Sequence, residues 1–187
     1  MNLKTGIWKL TFRIWVVAAV VVMLAWTDVG HAAATLRIVP IVRDQQVLVS
    51  VDLDNGYTDE VRQVISGGVT TTFRYDVDLK MIVPAWVDKT ITTLVVITTD
   101  RYDTLTRLHN LSRAIDGRVV EQLVTDNEAV AKKWLTQLHG MVLCRTSRLD
   151  PHREYYVQIS AGVRPPGATL LGFATGVTNL AKFTFVP

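Results

Sequence analysis

The sequence predicts a mainly β protein: one antiparallel, immunoglobulin-like β-sandwich with two short helices, preceded by an N-terminal signal or anchor helix. Three observations carry this. The stretch TTTFRYDVDLKMIV, residues 70–83, alternates apolar and polar side chains, which marks a strand with one buried and one wet face. Further runs rich in Val, Ile, Thr and Tyr recur along the chain between turn-forming residues, about eight strands in all. The first 34 residues have a different character, with a basic start, an apolar run and a small-residue end.

That first segment reads as an export address. Lys4, Lys9 and Arg13 precede an uninterrupted apolar run from Ile14 to Trp26, and Gly30, Ala32, Ala33 and Ala34 follow. This is the order of a secretory signal peptide, with cleavage sites before Thr35 or before Ala33. The run is short of the roughly 20 apolar residues of a spanning helix. The alternative is an uncleaved anchor in which residues 8–26 contact the membrane, with Trp26 at an interface. Either way residues 35–187 form a single exported domain, and the expected location is the periplasm. No Cys follows the apolar run, so no lipoprotein anchor is expected.

Composition bounds the rest. Of 187 residues 49% are hydrophobic and 20% charged, enough for a packed core. The net charge of +3 owes most to the N-terminal segment, where three basic residues face one acidic residue. No basic face interleaved with aromatics exists to track phosphates, so nucleic acid is not an expected partner. The one cysteine, Cys144, allows no intrachain disulfide and reads as a small half-buried filler.

The elements follow in order. Residues 35–43 and 46–54 form two strands turning at Asp44-Gln45, and Pro40 places the first at a sheet edge. Thr58 caps a short helix, with Asp59 and Glu60 in its first turn, Val61, Val64 and Ile65 as its apolar stripe and Gly67-Gly68 at its end. In the long strand Phe73, Tyr75, Val77, Leu79, Met81 and Val83 face inward, so Asp76 and Asp78 lie on a solvated face. A second helix is expected over 126–139. Thr125 and Glu128 make a capping box, Val130, Ala131, Trp134, Leu135 and Leu138 the buried face, and Gly140 the C-cap. A strand then leads to a turn at Asp150-Pro151. The next strand has Tyr155, Val157, Ile159, Ala161 and Val163 on one face. Pro165-Pro166-Gly167 makes a stiff crossing, and a last strand bears Phe183 and Phe185.

The stretch TTDRYDTLTRLHNLSR, residues 98–113, concentrates the polar chemistry. Leu105, Leu108 and Leu111 suit a helix, but the Thr, Val and Ile before it suit a pleated surface. Asp116-Gly117 is a type I′ pair. We therefore expect a hairpin from about Thr104 through Asp116-Gly117 to Leu123, with Leu105, Arg107, His109 and Leu111 on one face. Asp100, Arg101 and Asp103 are expected to pair or to bond a turn. The Asp-x-Asp-Asn-Gly of 52–56 lacks the closing Glu of a calcium loop. No H-E-x-x-H, G-x-S-x-G or H-x-E spacing occurs. His109, His139 and His152, with Asp100, Asp103 and Asp150, are the candidates for a metal or acid/base site. His139 is expected at a helix C-terminus and His152 in an exposed turn. No cofactor or bound metal is expected.

Several stretches together resemble a known family. These are SGGVTTTFRYDVDL after the short helix, AWVDKTI with Trp86, YDTLTRLHNL, RLDPHREYYVQIS and GVRPPGATL. They resemble domain-of-unknown-function family 4390, exported bacterial proteins, across essentially the whole mature chain. His109 stands where that pattern usually has an aromatic, and TNLAKFTF replaces its Trp-Ser-x-Asp-Trp end. The resemblance implies no activity and no catalytic residues. It implies a neighbour, since such proteins are often encoded beside a membrane sensor histidine kinase. The expected function is therefore a non-enzymatic periplasmic binding or accessory module for an envelope partner such as that kinase. Tyr102, Arg107, His109 and Trp86 are the candidate binding-surface residues. The alternatives are a periplasmic hydrolase with a metal or acid/base site, and a carrier of an apolar ligand between the sheets.

Overall fold

The computed structural model describes residues 33–164 and 177–186; the segment expected to be an export address and the crossing expected at Pro165-Pro166-Gly167 lie outside them. Among the described residues nine strands and two α-helices run in the order β1 (Thr35–Arg43), β2 (Gln46–Asp54), α1 (Asp59–Ser66), β3 (Thr71–Met81), β4 (Lys89–Asp103), β5 (Leu108–Ile115), β6 (Arg118–Thr125), α2 (Glu128–Thr136), β7 (Gln137–Arg145), β8 (Glu154–Arg164) and β9 (Val177–Thr184). They form two antiparallel sheets, one ordered β1-β2-β7 and the other β6-β5-β4-β3-β8-β9. Among the described residues no helix is long and apolar enough to cross a membrane.

Period-2 alternation explains the core. Val47, Val49, Val51 and Leu53 of β2 join Phe73, Tyr75, Val77 and Leu79 of β3 and Tyr155, Val157 and Ile159 of β8 in one continuous cluster. The first hairpin matches its expected bounds, and Asp44 and Gln45 both take the positive φ that a two-residue turn requires. Pro40 lies on β1, an edge strand, as its missing N–H demands. The outward Asp76 and Asp78 are held within the sheet. Arg74 forks onto Asp76 at 2.7–3.1 Å, and Asp78 accepts from Thr93 Oγ1 at 2.7 Å. Cys144 is buried among core side chains, and burial pushes its thiol up. Tyr155 locks the Asp150-Pro151 turn: its hydroxyl accepts from the Asp150 N–H at 2.7 Å and donates to the same residue's carbonyl at 3.2 Å.

Two expectations are corrected. The second helix stops at Thr136 rather than 139, and its cap is Asn127, whose side chain accepts from Ala129 N at 2.9 Å. Thr125 instead bonds the Asn127 N–H. Leu138 is buried but on β7, Val130 is exposed, and His139 is an exposed strand residue rather than a helix-end one. Gly140 has φ +62 inside β7, within a register shift against β2, so it serves a bulge and not a helix cap. The second correction concerns residues 104–107. They form a turn, not the start of a strand, so Leu105 and Arg107 leave the face they were expected to share with His109. Asp103 Oδ1 builds that turn by accepting from the N–H groups of Leu105 at 2.8 Å and Thr106 at 3.3 Å. The Asp116-Gly117 turn stands as expected, with Gly117 at φ +80.

The helix α2 passes into β7 with no intervening residue, which leaves the carbonyls of its last turn in need of donors. The sheet supplies them. Tyr75 Oη donates to Leu135 O at 2.6 Å and Thr98 Oγ1 to the same oxygen at 3.2 Å. Arg113 Nη2 reaches Trp134 O at 3.3 Å and Gln137 O at 3.4 Å, and its guanidinium lies 4.5 Å over the Trp134 ring. Burial pushes the Tyr75 hydroxyl up, so it remains a donor at all ordinary pH. Because Leu135 O has two donors, losing one is cheap and losing both is not. We predict that Tyr75→Phe or Thr98→Val alone costs about 1 kcal/mol. The double variant should exceed the sum by about 1 kcal/mol, because it orphans a buried carbonyl. Urea unfolding of the four proteins measures this, and strict additivity contradicts it.

Candidate functional site

Three elements wall a cleft of about 880 Å³. The helix α1 contributes Tyr57, just before its cap, with Asp59, Arg62 and Ile65. The β4–β5 hairpin contributes Tyr102, Arg107, Leu108 and His109, and the start of α2 contributes Asp126 and Glu128. Three of the four residues selected from sequence, Tyr102, Arg107 and His109, therefore meet in one place. Trp86 does not. It is 82% exposed in the loop between β3 and β4, beside Ala85 and Val87.

The His109 wall is built from the strands inward. Pairing of β4 with β5 sets Tyr102 opposite His109 and Asp100 opposite Leu111. Alternation then turns Asp100 and His109 to the same, inward face. Asp100 has no exposed surface and His109 only 5%. His109 Nδ1 lies 2.7 Å from Asp100 Oδ2, and the Tyr102 ring is tilted against the imidazole with centroids 4.7 Å apart. Asp100 Oδ1 is buried without a hydrogen-bond partner among the described residues. Nδ1 is thus engaged by Asp100, on a residue that lines the cleft. The expected pairing of Asp100 thus holds, and its partner is His109.

The opposite wall is polar and adjustable. Arg62 grips Glu128 through Nε–Oε1 at 2.7 Å and Nη2–Oε2 at 3.0 Å, joining α1 to α2. Both side chains are exposed, so the bridge contributes little, about 0–1 kcal/mol. Tyr57 is pushed up to about 12, by burial first and then by the Glu128 carboxylate, so its hydroxyl stays protonated. Arg107, at φ +59 in the turn, donates its backbone N–H to Asp103 O at 2.8 Å, and its side chain has no hydrogen-bond or ion-pair partner among the described residues. The cleft can therefore offer a guanidinium, two further carboxylates at Asp59 and Asp126, an imidazole edge and the apolar surface of Ile65 and Leu108.

The other polar candidates do not join this site. Asp103 lies behind the turn it builds, His139 is on β7, and Asp150 and His152 are in the turn before β8. Among the described residues no three His, Cys, Asp or Glu side chains converge as a metal site requires. The sequence did not bring forward Tyr57, Arg62 or Glu128. Glu128 appeared only as half of a capping box, and nothing local links it to Arg62, 66 positions earlier.

Burial raises the Asp100 carboxyl above the 3.8 of a free aspartate, and His109 opposes part of that rise. The folded chain thus holds a proton at pH values where the unfolded chain has released it. Stability from this group is greatest at low pH and falls as pH rises from 3.8 through the raised folded value. We predict that Asp100→Asn removes this downward component. The stability of wild type relative to the variant should fall with rising pH in that window, as read by urea unfolding at a series of pH values. A pH-independent difference contradicts it.

No curated protein and no solved structure matches the chain. The sequence model of one family does, over residues 32–165, which span α1, the cleft-forming hairpin, α2 and all but the last strand. The chain belongs to that family, DUF4390, a domain of unknown function.

Proposed function

We propose that the chain is an exported, non-enzymatic binding module that seats an envelope partner, such as the exported region of a sensor histidine kinase, in the cleft beside His109. The observation that carries this is the convergence of Tyr102, Arg107 and His109 on one concave surface, with the Arg107 guanidinium unpaired among the described residues. Concavity with a few fixed polar groups in apolar surroundings is the usual form of a recognition site. The export address supports a periplasmic location. The finer architecture in this proposal is an immunoglobulin-like sandwich. One core shared by two antiparallel sheets supports it. So does the Tyr155 hydroxyl bonded to backbone five residues upstream, as in a tyrosine corner.

A second reading rests on the Asp100–His109 pair. A carboxylate that orients an imidazole beside a cleft is also the arrangement of a general base. In a hydrolase His109 Nε2 would take the proton of an attacking water while Asp100 holds the ring. The apolar-carrier alternative has no observation in its favour, because Phe73, Tyr75 and Tyr155 fill the space within the core.

Crosslinking and co-purification from membranes of the producing cell separate these readings. The module reading predicts recovery of one envelope protein with wild type and with Trp86→Ala. It predicts at least about tenfold less with Arg107→Glu, a loss of about 1.4 kcal/mol. Recovery of the chain alone under every condition contradicts it.

A further inference from the structure

The strand β6 is the outer strand of the six-stranded sheet, and along its free edge it pairs with no other strand among the described residues. The other edges are managed. β1 carries Pro40 and lies along β9, whose Asn179 Nδ2 donates to Leu36 O at 2.6 Å. β7 is interrupted by two register shifts against β2. β6 has one register shift against β5 and two charged residues, Arg118 and Glu121, but neither proline nor lysine, and Val119, Val120 and Val124 are 58%, 56% and 58% exposed. Such an edge is a template for another strand.

Its residue order says which strand. Pairing with β5 sets Val124 opposite Asn110, Gln122 opposite Ser112 and Val119 opposite Ala114, with Val120 as the extra residue of a bulge. Opposed residues share a face. Val119, Gln122 and Val124 therefore lie on the face turned from the core, and Arg118, Glu121, Leu123 and Thr125 lie on the other. With Val120 outside the ladder, β6 is symmetric about Gln122. A second β6 running antiparallel sets Val124 against Val119, Gln122 against Gln122, Glu121 against Leu123 and Arg118 against Thr125. Every pair then falls on a common face, no like charges are opposed, and valine meets valine on the exposed face. A two-fold interface needs this self-complementarity.

We infer that two copies of the chain pair through β6, antiparallel about a two-fold axis at Gln122, to make one continuous twelve-stranded sheet from two six-stranded ones. His109 lies on β5 and Arg107 in the β4–β5 turn, so neither belongs to the seam strand.

The test uses the full chain, purified as the producing cell leaves it. Light scattering across a concentration series should report a dimer for wild type. Val124→Lys should raise the dimer dissociation constant about a hundredfold while leaving the circular dichroism spectrum unchanged. Under mild oxidation Gln122→Cys should form a covalent dimer, because the two thiols meet on the axis. Arg118→Cys should not, because each Arg118 faces Thr125. A wild-type monomer at all concentrations overturns the inference, including one whose β6 takes up a different protein's strand. A dimer that survives Val124→Lys also overturns it, as does covalent dimerisation of Arg118→Cys as rapid as that of Gln122→Cys.

Discussion

The buried carboxylate of Asp100 is the constraint on which the site depends. A carboxylate with no exposed surface is tolerated only beside a donor, and the donor here is His109, nine residues away. That distance is closed by the 104–107 turn, which Asp103 holds by bonding two of its N–H groups and which needs Arg107 at positive φ. A slip of one residue in the β4–β5 register would send His109 to the opposite face and leave Asp100 alone. The same register sets Arg113 inward, four residues further along β5, where it meets the C-terminal end of α2. The docked α2 in turn presents Glu128 to Arg62. One buried pair therefore ties the turn, the strand and both helices to a single cleft geometry.

Stability does not account for that pair. Burying a carboxyl group carries a desolvation cost that one hydrogen bond at 2.7 Å offsets only in part. The docking of α2 draws on further contacts: Leu135 in the core, the doubly bonded Leu135 carbonyl and the Arg113–Trp134 stack. The Asp100–His109 pair adds a fixed imidazole, backed by a charge, at the wall of the cleft. Opposite it stands a wall bridged by the exposed Arg62–Glu128 pair.

Local signals made most of the framework legible in the sequence. Alternation in β3 and β8, the Asp44-Gln45 and Asp116-Gly117 turns, and the Thr58 cap all act within a few residues. The failures have physical causes. Gly140 resembles a helix terminator, and only the partner strand β2 reveals that it serves a bulge. The 104–107 turn contains no Gly, Pro or Asn, and its leucines suggest continued structure; the signal was Asp103, whose side chain can bond its own backbone two residues on. Of the site, Tyr102, Arg107 and His109 were readable as a polar cluster. The Asp100–His109 partnership was not, because it depends on the turn's length. The Arg62–Glu128 bridge and the capture of α2 by Tyr75, Thr98 and Arg113 join distant positions, and no local pattern encodes them.

The central claim is that a partner seats in the cleft beside His109. Site-specific photocrosslinking in the living cell tests it most directly, with a photoreactive residue placed in turn at Ser66, Thr106 and Ile41. Ser66 and Thr106 line the cleft, whereas Ile41 lies exposed on β1. The account predicts a common adduct with one envelope protein from Ser66 and Thr106 and none from Ile41. Adducts from Ile41 alone, or the same adducts from all three positions, would contradict it.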